Sequence, residues 1–250
     1  MLKVEHVTLR FGGLVANNDV TLNAPSGKIT GLIGPNGAGK TTFFNIINGV
    51  YKPNEGKVIF DGTEIQGKRP YQINELGMAR TYQVINLFRK MSVVENVVVG
   101  MHTQLKEGFF ASLFKTPKER REEKEAFEKA LELLEFVGLR QHAFEEAGSL
   151  SYGNQRLLEI CRGLASKPKL ILLDEPAAGM NSAEKVELDY LLKKILDTGL
   201  GILLIEHDMK LVMNVADYLY VLNYGKLLAE GTPSEVQNNP DVIAAYLGEE

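Results

Sequence analysis

A glycine-rich segment near residue 40 carries the most specific chemistry in this sequence. Residues 34–41 fit the pattern G-x-x-x-x-G-K-[ST], between an apolar run at 29–33 and a helical pattern that begins at Lys40. Glycines let successive backbone N–H groups turn toward phosphate oxygens, and a lysine neutralises the outer oxygens. The flanking strand and helix favour this chemistry over a glycine-rich turn with an incidental lysine. The predicted phosphate loop consists of Gly34, Pro35, Asn36, Gly37, Ala38, Gly39, Lys40, Thr41 and Thr42, with the Thr41 hydroxyl offered to Mg²⁺.

Two adjacent carboxylates follow a second apolar run. Asp174 and Glu175 come directly after residues 170–173, and ligands collect at the carboxyl ends of strands in open α/β sheets. Asp174 is placed to hold Mg²⁺, directly or through water. Glu175 is placed to polarise a water molecule for attack on the terminal phosphate. Because an ordinary strand end also carries such residues, the pair alone leaves both interpretations open.

His207 follows a third apolar run, residues 202–205. Neighbouring parallel strands end at a common edge, so we expect His207 to emerge beside Asp174 and Glu175, within reach of the terminal phosphate. A lone histidine is more often structural than catalytic, but the shared edge favours the catalytic interpretation.

Residues 150–155, Leu-Ser-Tyr-Gly-Asn-Gln, precede a stretch with helical spacing of apolar residues. Ser151 and the N–H groups after it are suited to bind an anion at the start of a helix. An ordinary helix cap at Ser151 is an equally good interpretation of this segment alone.

The elements that must position these residues follow from hydrophobic periodicity. Residues 2–11 predict an irregular, edge-type strand, and residues 57–62 predict a hairpin with an Asp-Gly turn, so that the early strands are antiparallel. A cap, a proline and a capping-box glutamate at 116–119 predict a long helix. Residues 170–205 predict a strand, a helix and a parallel strand, and the cap at 232–235 predicts short helices at the end.

The composition limits the possible function classes. A chain of 250 residues with 44% hydrophobic content can bury a large core. The formal net charge of -4 gives no reason to expect nucleic acid as a partner. Cys161 is the only cysteine, which suits a reducing cytoplasm. No apolar run approaches the roughly 20 residues that cross a bilayer, so any membrane role is expected to come through a partner.

Taken in order, these segments resemble the ATP-binding cassette family over essentially the whole chain. The matching positions are Phe11 for the aromatic that stacks on adenine, residues 34–42 for the Walker A loop, Gln83 for the Q-loop, residues 150–155 for the signature motif, Asp174 and Glu175 for Walker B and the catalytic glutamate, Asn181 for the end of the D-loop, and His207 for the switch histidine. The chain departs from the family pattern in the signature, which reads Leu-Ser-Tyr-Gly-Asn where Leu-Ser-Gly-Gly-Gln is usual, and at Asn181, where aspartate is commoner. Phe11 replaces the more frequent tyrosine but keeps a stacking face. The departures at Tyr152 and Asn181 concern fine tuning rather than activity.

The resemblance implies an α/β fold with a RecA-like P-loop NTPase core and an N-terminal antiparallel β subdomain. It also implies one domain over 1–250, in which residues 1–86 and 166–250 form the catalytic core and residues 87–165 an inserted α-helical subdomain. ATP and Mg²⁺ are the implied cofactors. The implied catalytic residues are Glu175, His207 and Gln83, the Mg²⁺ positions are Thr41, Gln83 and Asp174, and the nucleotide contacts are Phe11, residues 34–42, Ser151, Gly153 and Asn154.

The same resemblance implies a head-to-tail pair of cassettes with two ATP molecules between them, bound to integral membrane permease subunits. Residues 77–83 and 177–181 are similar to ATPases of branched-chain amino acid importers. Residues 206–213 and 238–243 are similar to the larger ATPase subunit of that system, and residues 104–118 resemble an insertion typical of that subunit. An external substrate-binding protein would act indirectly, and the chain would lie at the cytoplasmic face of the membrane. Importers of urea or amides, and a cassette ATPase without a transporter, stay as alternatives. The apolar residues 109–114 are expected to touch a permease or to cover the helical subdomain's own core.

Overall fold

The chain folds into two β-sheets with helices packed around them. A computed structural model describes residues 1–102 and 117–247, the side chains of 117–121 and 247 excepted. Thr116, the predicted cap, and the apolar residues 109–114 lie outside the described residues. The described strands are β1 Leu2–Phe11, β2 Leu14–Ala24, β3 Ile29–Ile33, β4 Glu55–Phe60, β5 Thr63–Glu64, β6 Met78–Arg80, β7 Leu170–Asp174, β8 Gly201–Ile205, β9 Tyr218–Asn223 and β10 Lys226–Gly231. The described α-helices are α1 Lys40–Ile47, α2 Pro70–Glu75, α3 Val93–Gly100, α4 Pro117–Phe136, α5 Tyr152–Leu164, α6 Ser182–Leu196, α7 Met209–Val215, α8 Pro233–Gln237 and α9 Pro240–Leu247.

The N-terminal sheet has the strand order β2-β1-β4-β5, and all its pairs are antiparallel. The antiparallel pairing and the 57–62 hairpin are confirmed. The prediction that β1 is an edge strand was wrong, because β2 pairs with one side of β1 and β4 with the other. The irregular apolar spacing that suggested an edge arises from register shifts, with His6 in the left-handed region at a φ of 50°.

The second sheet has the strand order β10-β9-β3-β8-β7-β6. Strands β9, β3, β8, β7 and β6 run parallel, and β10 pairs antiparallel at one edge. Every residue of β3, β7 and β8 is buried, as expected for central strands of a parallel sheet that is covered on both faces. This sheet confirms the predicted order of strand, helix and parallel strand between residues 170 and 205.

Apolar side chains form separate clusters on the two faces of this sheet. One cluster joins α3, α4 and α5 to the sheet face that carries Ile171 and Ile202. The second joins α1 and the N-terminal sheet to the opposite face. Helix α4 packs into the first cluster through Ala130 and Leu134, which are fully buried. The helices that follow two of the central strands also pack into these clusters, α1 after β3 into the second and α6 after β7 into the first.

Helix ends follow the predicted capping chemistry. Thr232 and Glu235 form a capping box at α8, and Ser151 caps α5 with its side chain. Gly49 and Gly199 have φ values of 74° and 83° at the ends of α1 and α6, a conformation that glycine adopts without strain. Among the described helices, none combines the length and the apolar character needed to cross a membrane.

Candidate active site

The phosphate loop connects β3 to α1 and is packed closely against its neighbours. A Cβ atom added to Gly34 would lie 2.1 Å from the Leu222 carbonyl oxygen, and one added to Gly39 would lie 2.6 Å from the Ala16 carbonyl oxygen. Gly34 and Gly39 also have φ values of 148° and 99°, which disfavour other residues. Glycine at both positions is thus required by the approach of β9 and β2 to the loop.

Lys40 spans this loop from the first turn of α1. Its Nζ atom donates to the carbonyl oxygens of Gly34 at 2.6 Å and Pro35 at 2.9 Å, and the residue is buried. Gly39, at the N-cap of α1, makes no side-chain capping hydrogen bond, and the start of a helix favours an anion. A glycine-rich loop that leads into a helix, together with a buried lysine cation, is suited to bind a chain of phosphate groups.

Strands β3, β8 and β7 end at one level of the sheet. Leu32 pairs with Ile205, and Ile205 pairs with Asp174. The residues that follow these strands therefore emerge at a common edge, which is where the phosphate loop, Glu175 and His207 are found. The predicted position of His207 beside the two carboxylates agrees with this register.

Glu175 lies at the centre of a group of three predicted catalytic side chains. Gln83 Nε2 donates to Glu175 Oε2 at 2.8 Å, and His207 Nδ1 lies 3.8 Å from the same oxygen. The latter distance permits an ion pair when the imidazole is protonated but exceeds a hydrogen bond. Glu175 adopts a φ of 49°, and its backbone N–H donates to the Ile205 carbonyl oxygen. A non-glycine residue in this region is held there by its surroundings.

Asp174 lies deeper, in a buried ion pair that the sequence did not reveal. Arg80 Nη2 donates to Asp174 Oδ2 at 2.8 Å, and Nη1 donates to Asn45 Oδ1 at 2.8 Å. Both charged side chains are only 3% exposed. Burial raises the pKa of Asp174, while the guanidinium of Arg80 opposes that shift.

The side chains proposed for Mg²⁺ form an oxygen donor set. Thr41 offers a hydroxyl, Asp174 a carboxylate, and Gln83 a carbonyl oxygen, since its Nε2 is directed to Glu175. Within the described residues no cluster of three or more His, Cys, Asp or Glu side chains could hold a metal alone. The hydroxyl, carboxylate and amide oxygens of these three side chains are of the kind that suits Mg²⁺, which takes few protein oxygens and completes its shell with water and substrate phosphates.

Glu206 ties two loops of the site together and was given no role by the sequence patterns. It is fully buried, and it accepts hydrogen bonds from the backbone N–H groups of Ala177 at 2.7 Å, His207 at 3.1 Å and Asp208 at 3.3 Å. Burial raises the pKa of Glu206, and the backbone donors oppose the shift. The segment after Glu175 and the segment of His207 are thereby fixed to each other.

The signature segment begins α5 and packs on the start of α6. Ser151 Oγ accepts from the Asn154 N–H at 3.2 Å, which confirms the helix-cap interpretation. A Cβ atom on Gly153 would lie 2.4 Å from Glu184 Oε1, so the start of α5 packs closely on the Glu184 side chain. Asn181 caps α6 and accepts from the N–H groups of Ala183 and Glu184. Its departure from the commoner aspartate therefore preserves a helix cap.

Phe11 ends β1 at the hairpin turn and is 44% exposed. Its ring meets the Tyr51 ring edge-on, with centroids 5.2 Å apart. The exposed ring is available for stacking, and its contact with adenine stays a prediction.

The structure thus brings together Gln83, Glu175 and His207, and places them at the edge that carries the phosphate loop. Ser151 and Gly153 contact residues of α5 and of the start of α6 instead. Sequence patterns missed Arg80, Glu206 and Arg156, which carry buried charges beside the predicted residues. Their closeness in sequence to motif residues could have indicated them. Arg80 lies shortly before Gln83 and Glu206 directly before His207, each at the end of a strand.

The family model described as "ABC transporter" matches residues 17–178. The chain belongs to the ABC transporter family. A second model, described as "Branched-chain amino acid ATP-binding cassette transporter", matches residues 226–250, which include β10, α8 and α9. This member of the family is an ATPase subunit with the P-loop NTPase fold, as the phosphate loop and the parallel sheet indicated.

Similar proteins support the same assignment over the full length. The high-affinity branched-chain amino acid transport ATP-binding protein LivG of Salmonella typhimurium is 50% identical over 250 residues, covering 100% of this chain and 98% of that protein. The ADP conformation of an ATP-binding cassette of an ABC transporter has a TM-score of 0.87 at 35% identity, covering 100% and 99% of the two chains. A dimeric post-hydrolysis cassette bound to ADP and Pi has a TM-score of 0.78 at 26% identity, covering 93% and 99%.

Proposed function

We propose that this ATPase binds ATP with Mg²⁺ at the edge of the parallel sheet and uses Glu175 as the general base for its hydrolysis. The observation that carries the proposal is the 2.8 Å hydrogen bond from Gln83 to Glu175, at the strand end that shares an edge with the phosphate loop. A carboxylate held in this way can accept a proton from an attacking water.

Each residue of the site has a part in this chemistry. Lys40 and the backbone N–H groups of residues 36–42 bind the phosphate chain and stabilise its negative charge. Glu175 accepts a proton from the water, and His207 donates a hydrogen bond to the terminal phosphate. Thr41, Gln83 and Asp174 would hold Mg²⁺, which neutralises charge on the phosphate oxygens. Phe11 presents its exposed ring to the adenine.

The remaining contacts come from a second cassette. Ser151, Gly153 and Asn154 lie at the start of α5, where the helix dipole favours an anion. We propose that these residues of one cassette close the site of a second cassette, head to tail, with two ATP molecules between the chains. The similarity to a dimeric cassette bound to ADP and Pi supports this arrangement.

The transported substrate is proposed from the relatives. The 50% identity over 250 residues to a branched-chain amino acid transport protein supports uptake of leucine, isoleucine and valine. The family match at residues 226–250 supports the same substrates. Permease subunits in the membrane would bind the chain at the cytoplasmic face, and an external binding protein would select the substrate. We also propose that residues 87–165, which contain α3, α4 and α5, form the helical subdomain between the core segments 1–86 and 166–250.

Uptake in cells that lack this chain tests the substrate. Re-expression of the wild-type chain should restore uptake of labelled leucine, isoleucine and valine, and the Glu175→Gln chain should not. Urea uptake serves as the comparison. If the wild-type chain restores urea uptake but not leucine uptake, the substrate class is that of the urea and amide importers. If cells that lack the chain take up both leucine and urea normally, a role in transport is contradicted.

ATP-dependent dimerisation tests the composite site. The Glu175→Gln chain should dimerise when ATP is added, because the closed pair is no longer released by hydrolysis. Light scattering measures the mass with and without ATP. A monomer in both conditions would count against the head-to-tail pair.

A further inference from the structure

Arg156 is buried completely in α5, five positions after the helix cap Ser151. Its Nη1 atom donates to the Tyr82 carbonyl oxygen at 2.8 Å, and Nη2 donates to the Gln83 carbonyl oxygen at 2.8 Å. The helix that begins with the signature segment therefore holds the backbone of Gln83 directly.

Glu159 balances the buried charge of Arg156. Its Oε2 atom accepts from Arg156 Nη1 at 2.9 Å, and both side chains are at most 2% exposed. A buried guanidinium with an opposite charge and several acceptors is held in one orientation, since any other would leave a charge unpaired. The fork of Arg156 is thus a rigid connection between α5 and the segment of residues 82–83.

Tyr152 extends this connection to the loop that follows Glu175. Its hydroxyl oxygen accepts from Arg156 Nη2 at 3.2 Å. A Cβ atom on Gly179 would lie 2.9 Å from Tyr152 Cε1, so the ring lies directly on that glycine. The tyrosine that replaces the usual signature glycine therefore contacts both Arg156 and the backbone before α6.

We propose that Arg156, supported by Tyr152, is a positioning residue that sets the Gln83 side chain against Glu175. Gln83 meets the carboxylate through its Nε2 atom, and Arg156 fixes the backbone that carries Gln83. A shift of α5, whose first residues face the second cassette, moves Gln83 relative to Glu175. This inference rests on the proposed hydrolysis at Glu175, and it adds a path by which the signature segment controls that step.

Arg156→Lys tests the path in two backgrounds. Lysine keeps the positive charge but lacks the fork that reaches two carbonyl groups. In the otherwise wild-type chain, kcat should fall by about tenfold, the effect of one lost hydrogen bond to a charged group, while the ATP dissociation constant stays within about twofold. In a Gln83→Ala chain the same substitution should leave kcat unchanged, because the positioned side chain is already gone.

Arg140→Lys is the matched control, since Arg140 also donates to a backbone carbonyl, that of Leu131, away from residues 82–83. It should change kcat in neither background. An equal fall for Arg156→Lys in both backgrounds, or no fall in either, would overturn the positioning role. An equal loss of ATP affinity and kcat would overturn it as well, because a general distortion of the site produces that pattern.

Tyr152→Phe decides the question if Arg156→Lys does not fold. It keeps the ring on Gly179 and removes the acceptor for Arg156, at a residue that is 45% exposed. We expect a smaller fall in kcat, about threefold, that disappears in the Gln83→Ala background. A fall of equal size in both backgrounds, or no fall in either, would contradict the positioning of Gln83 through Arg156. A wild-type chain that does not turn over ATP would contradict the proposed hydrolysis itself. If the wild-type chain is active and the falls in kcat caused by the two substitutions simply multiply, only the positioning role is contradicted.

Discussion

Gln83 and Glu175 are joined by a side-chain hydrogen bond of 2.8 Å, although 92 residues separate them in the chain. Gln83 follows β6 and Glu175 follows β7, and these strands are parallel neighbours. The bond fixes one carboxylate oxygen and so orients the Glu175 side chain. Orientation of the base ahead of the reaction lowers the cost of reaching the transition state.

Glu175→Gln should lower kcat by about 10²- to 10⁴-fold, because an amide cannot accept the proton of the attacking water. Its carbonyl oxygen can still accept from Gln83, so the local geometry and ATP affinity are expected to persist. Steady-state ATPase assays and nucleotide titration measure the two quantities. Glu187→Gln, at an exposed position on α6, is the control. Near-normal turnover of Glu175→Gln would refute the assignment of the base.

Lys40→Ala should weaken ATP binding by about 10- to 100-fold, the effect of losing about 1.5–3 kcal/mol from a charge-assisted contact. The cation that spans the loop is removed, and the phosphate charge is left with backbone donors alone. Isothermal titration with ATP measures the dissociation constant. Lys3→Ala, on an exposed part of β1, should bind as the wild type does. An unchanged constant for Lys40→Ala would exclude the proposed contact.

The phosphate loop was predictable because its chemistry is local. Nine consecutive residues contain the pattern, and the strand and helix on either side are visible in hydrophobic spacing. The shared edge of Asp174, Glu175 and His207 was also predictable, because two apolar runs joined by a helix indicate parallel neighbours. The family resemblance then supplied Gln83, whose position no spacing rule identifies.

Long-range side-chain pairs were not predictable from the sequence. Arg80 and Asp174 are 94 residues apart, and nothing in their local patterns indicates that they pair. Arg156 lies on a helix where a charged residue is normally solvated, so its complete burial required the tertiary structure. The internal position of β1 was misjudged because a β-bulge disturbs the alternation that marks such a strand.

Gly34→Ala should lower the free energy of unfolding by about 3 kcal/mol or more, because the added methyl group collides with the Leu222 carbonyl oxygen. Gly62→Ala is the matched control. Gly62 has a φ of 78°, and a Cβ atom there meets nothing within 4 Å. Only backbone strain remains at this position, about 1–2 kcal/mol. Urea unfolding measures both, and equal losses would show that the approach of β9 does not constrain the loop.

Glu206→Gln should change how stability depends on pH. Because burial raises the pKa of Glu206, the folded wild-type chain keeps its proton above about 4.3, where the unfolded chain has lost it. Wild-type stability therefore falls as pH rises through this window, whereas the amide of the variant does not titrate and causes no such fall. Relative to the wild type, the variant should gain stability as pH rises from about 4.3 through the raised pKa of Glu206. Urea unfolding across that range measures the difference, and a constant difference would contradict a raised pKa.

Arg80→Met should lower the free energy of unfolding by about 3–5 kcal/mol, because it leaves the buried carboxylate of Asp174 without its opposite charge. Asp174→Asn in the same chain removes that unpaired charge, so the double variant should be more stable than the sum of the single losses predicts, by at least about 1 kcal/mol. Arg10→Met is the control, since Arg10 pairs with Glu55 at the surface and should contribute less than about 1 kcal/mol. Urea unfolding of the four chains of the cycle gives the coupling energy. If the losses in unfolding free energy of the two single variants simply add in the double variant, the Arg80 and Asp174 charges do not stabilise each other. Asp174 would then not depend on Arg80 for a role in binding Mg²⁺.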